Sequence, residues 1–242
     1  MWKFFLLCTG FQFGLVLNLK AQDSEQRVGA IEKRRPLTVA LNKYEIPLSF
    51  EENGQIKGFY VDLLNAIGKE TGLKFKIVLK EWAEIYEQFT QYSSFDLTTL
   101  YYSKERATKF EYSTTLLIID HVFISRKGSF LMGLPSLRDQ RILVEKKSLV
   151  SQRLLEQYPD LRLVEVPSES YALQEVSKGK YDLAIVDEFQ AQRLDLIPDY
   201  KGLKVIGADI LPMEQCFAVH KGDTALLARI NFGLERIKRK GI

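Results

Sequence analysis

Twice along this chain, short apolar runs that read as strands alternate with amphipathic stretches that read as helices, and few architectures accept that alternation. The first series opens after Pro36 with Leu37-Thr38-Val39-Ala40-Leu41. A hairpin signal follows at Asn53-Gly54, then a helical pattern through Val61, Leu64 and Ile67 that Gly72 stops. Lys74 to Leu79 reads as a strand, Trp82 to Tyr92 as a helix, Phe95 to Thr99 as a strand, and Leu116 to Ser125 as one long apolar strand. The second series begins at Arg141-Ile142-Leu143-Val144. It continues with a helix over Leu149 to Tyr158, a strand over Leu161 to Val166, a helix over Glu169 to Lys178 closed by Gly179, and a strand over Tyr181 to Val186. A strand at Gln215 to Val219 and a helix at Thr224 to Lys240 come last. Strands separated by helices imply parallel sheets covered on both faces, so the chain reads as α/β. The Gly- and Pro-containing segment Lys127 to Pro135 separates the series into two units of ordinary domain size.

The 242 residues are 46% hydrophobic and 27% charged, enough to bury one large core or two modest ones. Residues 1–21 read as an export signal: Lys3 supplies the charge, Phe4 to Leu17 is mostly apolar, and Ala21 offers a small residue for cleavage. Residues 22–35 read as a polar linker. The segment removed holds two lysines and no acids, so the formal charge of +3 becomes +1. A near-neutral chain lacks the concentrated basic face that nucleic acid requires. Cys8 leaves with the signal, and the remaining Cys216 is expected to be a buried free thiol.

No phosphate loop, nucleophile elbow, zinc-spaced Cys pair or His-Glu-x-x-His motif is present, so no enzyme, metal or cofactor chemistry is implied. His121 and His220 read as core or surface residues. Binding chemistry is easier to see. From Asp96 to Thr114, Thr98, Thr99, Tyr101 and Tyr102 run into a Ser103-capped turn carrying Arg106, so hydroxyls and a cation converge as a carboxylate site needs. Asp187 ends an apolar strand, where open α/β sheets place ligands, and equally fits as the N-cap of a following helix.

The chain resembles the solute-binding proteins of family 3, the periplasmic amino-acid-binding type, from Leu37 to about Gly241. The resemblance rests on Pro47-Leu48-Ser49-Phe50, Asn53-Gly54-Gln55, Gly58-Phe59-Tyr60-Val61-Asp62-Leu63-Leu64, Trp82, Ser103-Lys104-Glu105-Arg106 through Phe110-Glu111-Tyr112-Ser113, Gly179-Lys180-Tyr181-Asp182, and Phe217-Ala218-Val219-His220-Lys221-Gly222-Asp223. It implies a two-lobe periplasmic-binding-protein (type II) fold with a ligand cleft between the lobes. Lobe one is then residues 36–121 plus 216–242, and lobe two residues 122–215.

The resemblance further implies that Arg106 takes an α-carboxylate and Asp187 an α-ammonium, with Trp82 packing on the ligand, Thr99 and Tyr101 lining the pocket, and Ser148 offering a helix N-terminus. Lys147 stands where the family usually keeps Gly, a long cation that rejects an amino acid or favours a more acidic ligand. The function implied is a periplasmic, monomeric, non-catalytic receptor that hands a small polar solute to the permease of an ABC importer. The form Tyr-Tyr-Ser-Lys-Glu-Arg is similar to sensor regions of histidine kinases, which leaves a signalling partner open, and a few relatives are prephenate or arogenate dehydratases.

Overall fold

The computed structural model describes residues 35–129, 137, 140–207 and 211–241. The expected signal and nearly all of the linker lie outside the described residues. In chain order the elements are β1 (Leu37–Asn42), β2 (Tyr44–Glu45), β3 (Ser49–Glu52), β4 (Gln55–Lys57), α1 (Phe59–Thr71), β5 (Phe75–Lys80), α2 (Trp82–Gln91), β6 (Leu97–Tyr101), β7 (Phe110–Tyr112), β8 (Leu117–Ile119) and β9 (His121–Arg126). They continue with β10 (Arg141–Glu145), α3 (Leu149–Gln157), β11 (Arg162–Val166), α4 (Glu169–Ser177), β12 (Leu183–Asp187), α5 (Glu188–Gln192), β13 (Leu203–Ile206), β14 (Met213–His220) and α6 (Thr224–Arg239).

Two sheets organise the molecule. The first runs β5-β1-β6-β14-β7, with β8 also on β14, and the second runs β11-β10-β12-β9-β13. A three-stranded meander of β2, β3 and β4 stands apart, its β3–β4 turn made by Asn53 and Gly54, both at positive φ as such a tight turn requires. Residues alternate along a strand between the two faces of a sheet. Accordingly Val39 and Leu41 pack with Tyr60, Leu64 and Ile230 of α1 and α6, while Ala40 packs with Ile85 and Phe89 of α2. In the second sheet Ile142 and Val144 face Leu149 and Leu154 of α3, whereas Leu143 faces Ala172 and Leu173 of α4. Both sheets are therefore sandwiched between helices.

The pairing is not wholly parallel. β14 runs antiparallel to β6, and β9 antiparallel to both β12 and β13. The long strand expected from Leu116 to Ser125 is two strands: β8 pairs with β14 in the first sheet and β9 with β12 in the second. The break falls at Asp120-His121, the polar pair inside an otherwise apolar run, with Ile119 in the core of the first sheet and Phe123 in that of the second. The chain passes between sheets at Asp120, so His121, expected in lobe one, opens a strand of the second sheet, and Met213 to Gln215, expected in lobe two, lie in the first.

Cys216 is buried and free, and burial pushes its thiol up to about 11. No helix among the described residues is long and apolar enough to cross a membrane.

Candidate functional site

The carboxyl ends of strands from both sheets converge on one cavity, the position where α/β sheets hold ligands. Its free volume is about 50 Å³, with Trp82, Thr99 and Tyr101 on the side of the first sheet and Ser148 and Asp187 on the other. These are five of the six residues expected at the site. Asp187, at the end of β12, is 5% exposed and accepts a hydrogen bond from Gln190 N at 2.7 Å as the N-cap of α5. The cap engages one oxygen, and the residue also lines the cavity. Ser148 caps α3, accepting from Ser151 N at 3.2 Å. Trp82 opens α2, and its Nε1 has no partner.

Arg106 is the sixth, and it lies behind the cavity wall. The Ser103 hydroxyl accepts from Arg106 N at 3.1 Å and fixes a single 3-10 turn, as the Ser103 cap implied. The guanidinium is 6% exposed, donates to Tyr101 O at 3.3 Å and Lys147 O at 3.4 Å, and sits 4.8 Å over the Tyr86 ring and 5.7 Å over that of Trp82. Burial lowers its pKa from the usual arginine range. Tyr101 belongs to the first sheet and Lys147 follows the second sheet's β10, so Arg106 ties the two sides together.

Three more polar contacts cross the cleft: Lys147 to Glu87 at 2.7 Å, Gln152 to Glu105 at 2.9 Å, and Gln190 to Tyr44 O at 2.6 Å. Lys147, at φ +59° in the left-handed region that favours glycine, therefore turns its ammonium to Glu87 and is absent from the cavity wall. The expectation that it favours an acidic ligand is corrected: its charge is already paired at the surface.

Sequence reading missed most of the cavity's charge. Glu45, Glu145 and Glu169 join Asp187 on the wall, with no lysine or arginine among the lining residues. Burial, then the neighbouring carboxylates, raises Glu145 to about 8 and pushes Glu45 and Glu169 well above the ordinary range. Burial also raises Asp187 to about 6, against the opposing hydrogen bonds from the α5 backbone. Glu169 accepts from Asp187 N at 3.0 Å. The end of β10 and the first residue after the Ser168 cap were visible signals for Glu145 and Glu169; nothing in the sequence marks Glu45.

His121 also lines the cavity, its Nδ1 at 3.2 Å from Leu211 O and its Nε2 at 3.4 Å from the Tyr101 hydroxyl. Burial lowers it to about 4, so it is neutral at physiological pH. His220 lies elsewhere, bound to Phe95 O at 2.8 Å, as a core residue should be.

The model of the bacterial extracellular solute-binding proteins, family 3, matches residues 37–242. An ABC transporter glutamine-binding protein of Bacillus subtilis (strain 168) is 24% identical over 194 residues, 78% of this chain and 70% of that protein. Sensor protein EvgS of Escherichia coli O157:H7 is 23% identical over 178 residues, 73% of this chain; the match spans only 15% of EvgS. Among solved structures, a histidine kinase sensor domain with similarity to periplasmic binding proteins superposes with a TM-score of 0.81 at 24% identity, covering 87% of this chain and 93% of that one. Two helix-covered sheets, a cleft between their strand ends and a family match over nearly the whole described chain lead to one conclusion: this chain belongs to the bacterial extracellular solute-binding proteins, family 3, and has their two-lobe, type II periplasmic-binding-protein fold.

Proposed function

We propose that the chain is an exported, monomeric, non-catalytic receptor that captures an amino acid or similar small polar solute by lobe closure and presents it to the permease of an ABC importer. The observation that carries this reading is the cavity walled by both lobes, with polar groups from each. A solute bridging them stabilises the closed arrangement by its differential affinity for that state. Asp187 receives the ammonium, and Trp82, Thr99, Tyr101 and Ser148 form the remaining contacts. Arg106 receives a carboxylate by exchanging its two long bonds to Tyr101 O and Lys147 O for a shorter, charge-assisted pair.

A thermal-shift screen against amino acids, polyamines and small acids tests the reading, since a solute that binds only the folded chain raises its midpoint by mass action. A screen in which no such solute shifts the midpoint rejects it. The second reading, a ligand-sensing module for a signalling partner, is supported by the match to EvgS and predicts the same solute but a kinase in place of a permease. Pull-down with membrane fractions, read for a permease or a kinase, separates the two. Incubation with prephenate gives no product on either reading.

A further inference from the structure

One ammonium needs one carboxylate, and Asp187 already supplies it. The cavity holds three more acids, each brought by a separate element: Glu45 by β2 on lobe one, Glu145 by the end of β10, and Glu169 by the start of α4 on lobe two. No lysine or arginine lines the cavity and His121 is neutral there, so the protein supplies no counter-charge inside it. Asp187 is buried and the three glutamates are half-buried, and carboxylates drawn out of bulk water persist where something pairs with them. Gln215 on β14, 4% exposed, lines the same cavity, with its side-chain amide beside the buried Tyr60 hydroxyl.

We infer that the solute is a small organic cation with two or more protonated nitrogens, held between Glu45 of lobe one and Glu145, Glu169 and Asp187 of lobe two. The inference rests on the receptor reading and narrows its substrate class. A metal ion fits poorly: among the described residues no group of three or more His, Cys, Asp or Glu side chains is arranged to hold one. A spread of acceptors too loose for one metal suits charges separated along an organic chain. A cationic amino acid and a plain diamine both belong to the class.

Proton release accompanies binding. With the cavity empty, Glu145 titrates at about 8 and Asp187 at about 6, and burial, then the neighbouring carboxylates, holds Glu45 and Glu169 well above the ordinary range. Besides these four, the ionisable groups facing the cavity are His121, Tyr44 and Tyr101, with Glu81 and Tyr60 close behind; burial keeps Tyr60 and Tyr101 protonated. A dication favours the ionised carboxylates, so its affinity rises as pH goes from about 6 to about 8.

The test is titration calorimetry with putrescine, L-arginine, L-glutamine and L-glutamate at neutral pH, in two buffers of different protonation heat. Putrescine or L-arginine is expected to bind at least roughly tenfold tighter than L-glutamine, as one added charged contact warrants, and to release protons that L-glutamine does not. Glu145→Gln, which keeps the cavity's shape, is expected to weaken that cation at least about tenfold without lowering the melting temperature. If L-glutamine or L-glutamate binds as tightly as both cations, or if Glu145→Gln leaves cation affinity unchanged, the inference is overturned and the receptor reading stands. If none of the four binds, the inference is overturned, and the wider thermal-shift screen decides the receptor reading.

Discussion

Asp187 is asked to cap a helix and to hold a ligand, and the two tasks separate by substitution. Asn caps about as well as Asp, so Asp187→Asn should leave thermal stability within about 0.5 kcal/mol while removing most solute affinity. Asp187→Ala should lose that affinity and also about 1 kcal/mol of stability, because Gln190 N is left without its acceptor. Paired calorimetry and melting curves on both variants check this. Arg106→Ala should weaken a carboxylate-bearing solute by about 1.5–3 kcal/mol, roughly ten- to over a hundredfold, and leave putrescine much less affected. Equal losses for both solutes would instead make Arg106 purely a tie between the lobes. Five expected residues line the cavity: Asp187 was legible locally as a strand end and helix cap, and Trp82, Thr99, Tyr101 and Ser148 were implied by the family resemblance. Glu45 and Gln215 were illegible for the opposite reason: their place depends on how distant elements meet.

At the scale of elements, the loop ahead of α1 is held by backbone more than by side chains. Phe59 N donates to Pro47 O at 3.1 Å and Tyr60 N to Leu48 O at 3.0 Å. Gly58 makes this close approach possible: its φ is +123°, and a Cβ there would lie 2.4 Å from Leu48 O. Gly58→Ala should cost about 1–3 kcal/mol from backbone conformation alone, with more from the clash. The loop leads back to β2 and Glu45, so solute affinity should fall together with melting temperature, measurable on one sample. A Gly54→Ala control, also at positive φ but with nothing within 4 Å of its Cβ, carries the conformational cost without the clash. Helices and strands of this chain were largely readable because period and caps agree. The division between β8 and β9 was marked only by Asp120-His121, and the apolar residues on either side carry no sign of which core receives them.

For the whole molecule, the acids across the cleft set a pH dependence. Glu145 at about 8 and Asp187 at about 6 are both raised above ordinary carboxylate values, so the folded chain holds more protons than the unfolded one between those ordinary values and about 8. Their stabilising contribution is complete on the acid side and disappears as pH rises through about 6 and then about 8. His121 acts in the opposite sense, because its lowered pKa makes the fold lose stability as pH falls from 6.5 towards about 4. Above 6.5 the carboxylates alone of these groups operate, and the melting temperature of the solute-free chain should decline towards pH 8. Glu145→Gln should flatten that decline in a calorimetric series. The two-lobe plan was legible from the order of motifs, whereas the balance of charge in the cleft required the lobes to be placed against each other.

Cys216, buried in β14 with a thiol pushed to about 11, gives the molecule a practical property. At neutral pH it is neither ionised nor within reach, so it stays inert to maleimides. A cysteine placed at Gln152, an exposed position whose side chain touches Glu105 across the cleft, is then the one accessible thiol among the described residues for a fluorophore. The described chain is in that sense already half of an optical reporter of its own closure, needing no native thiol removed first.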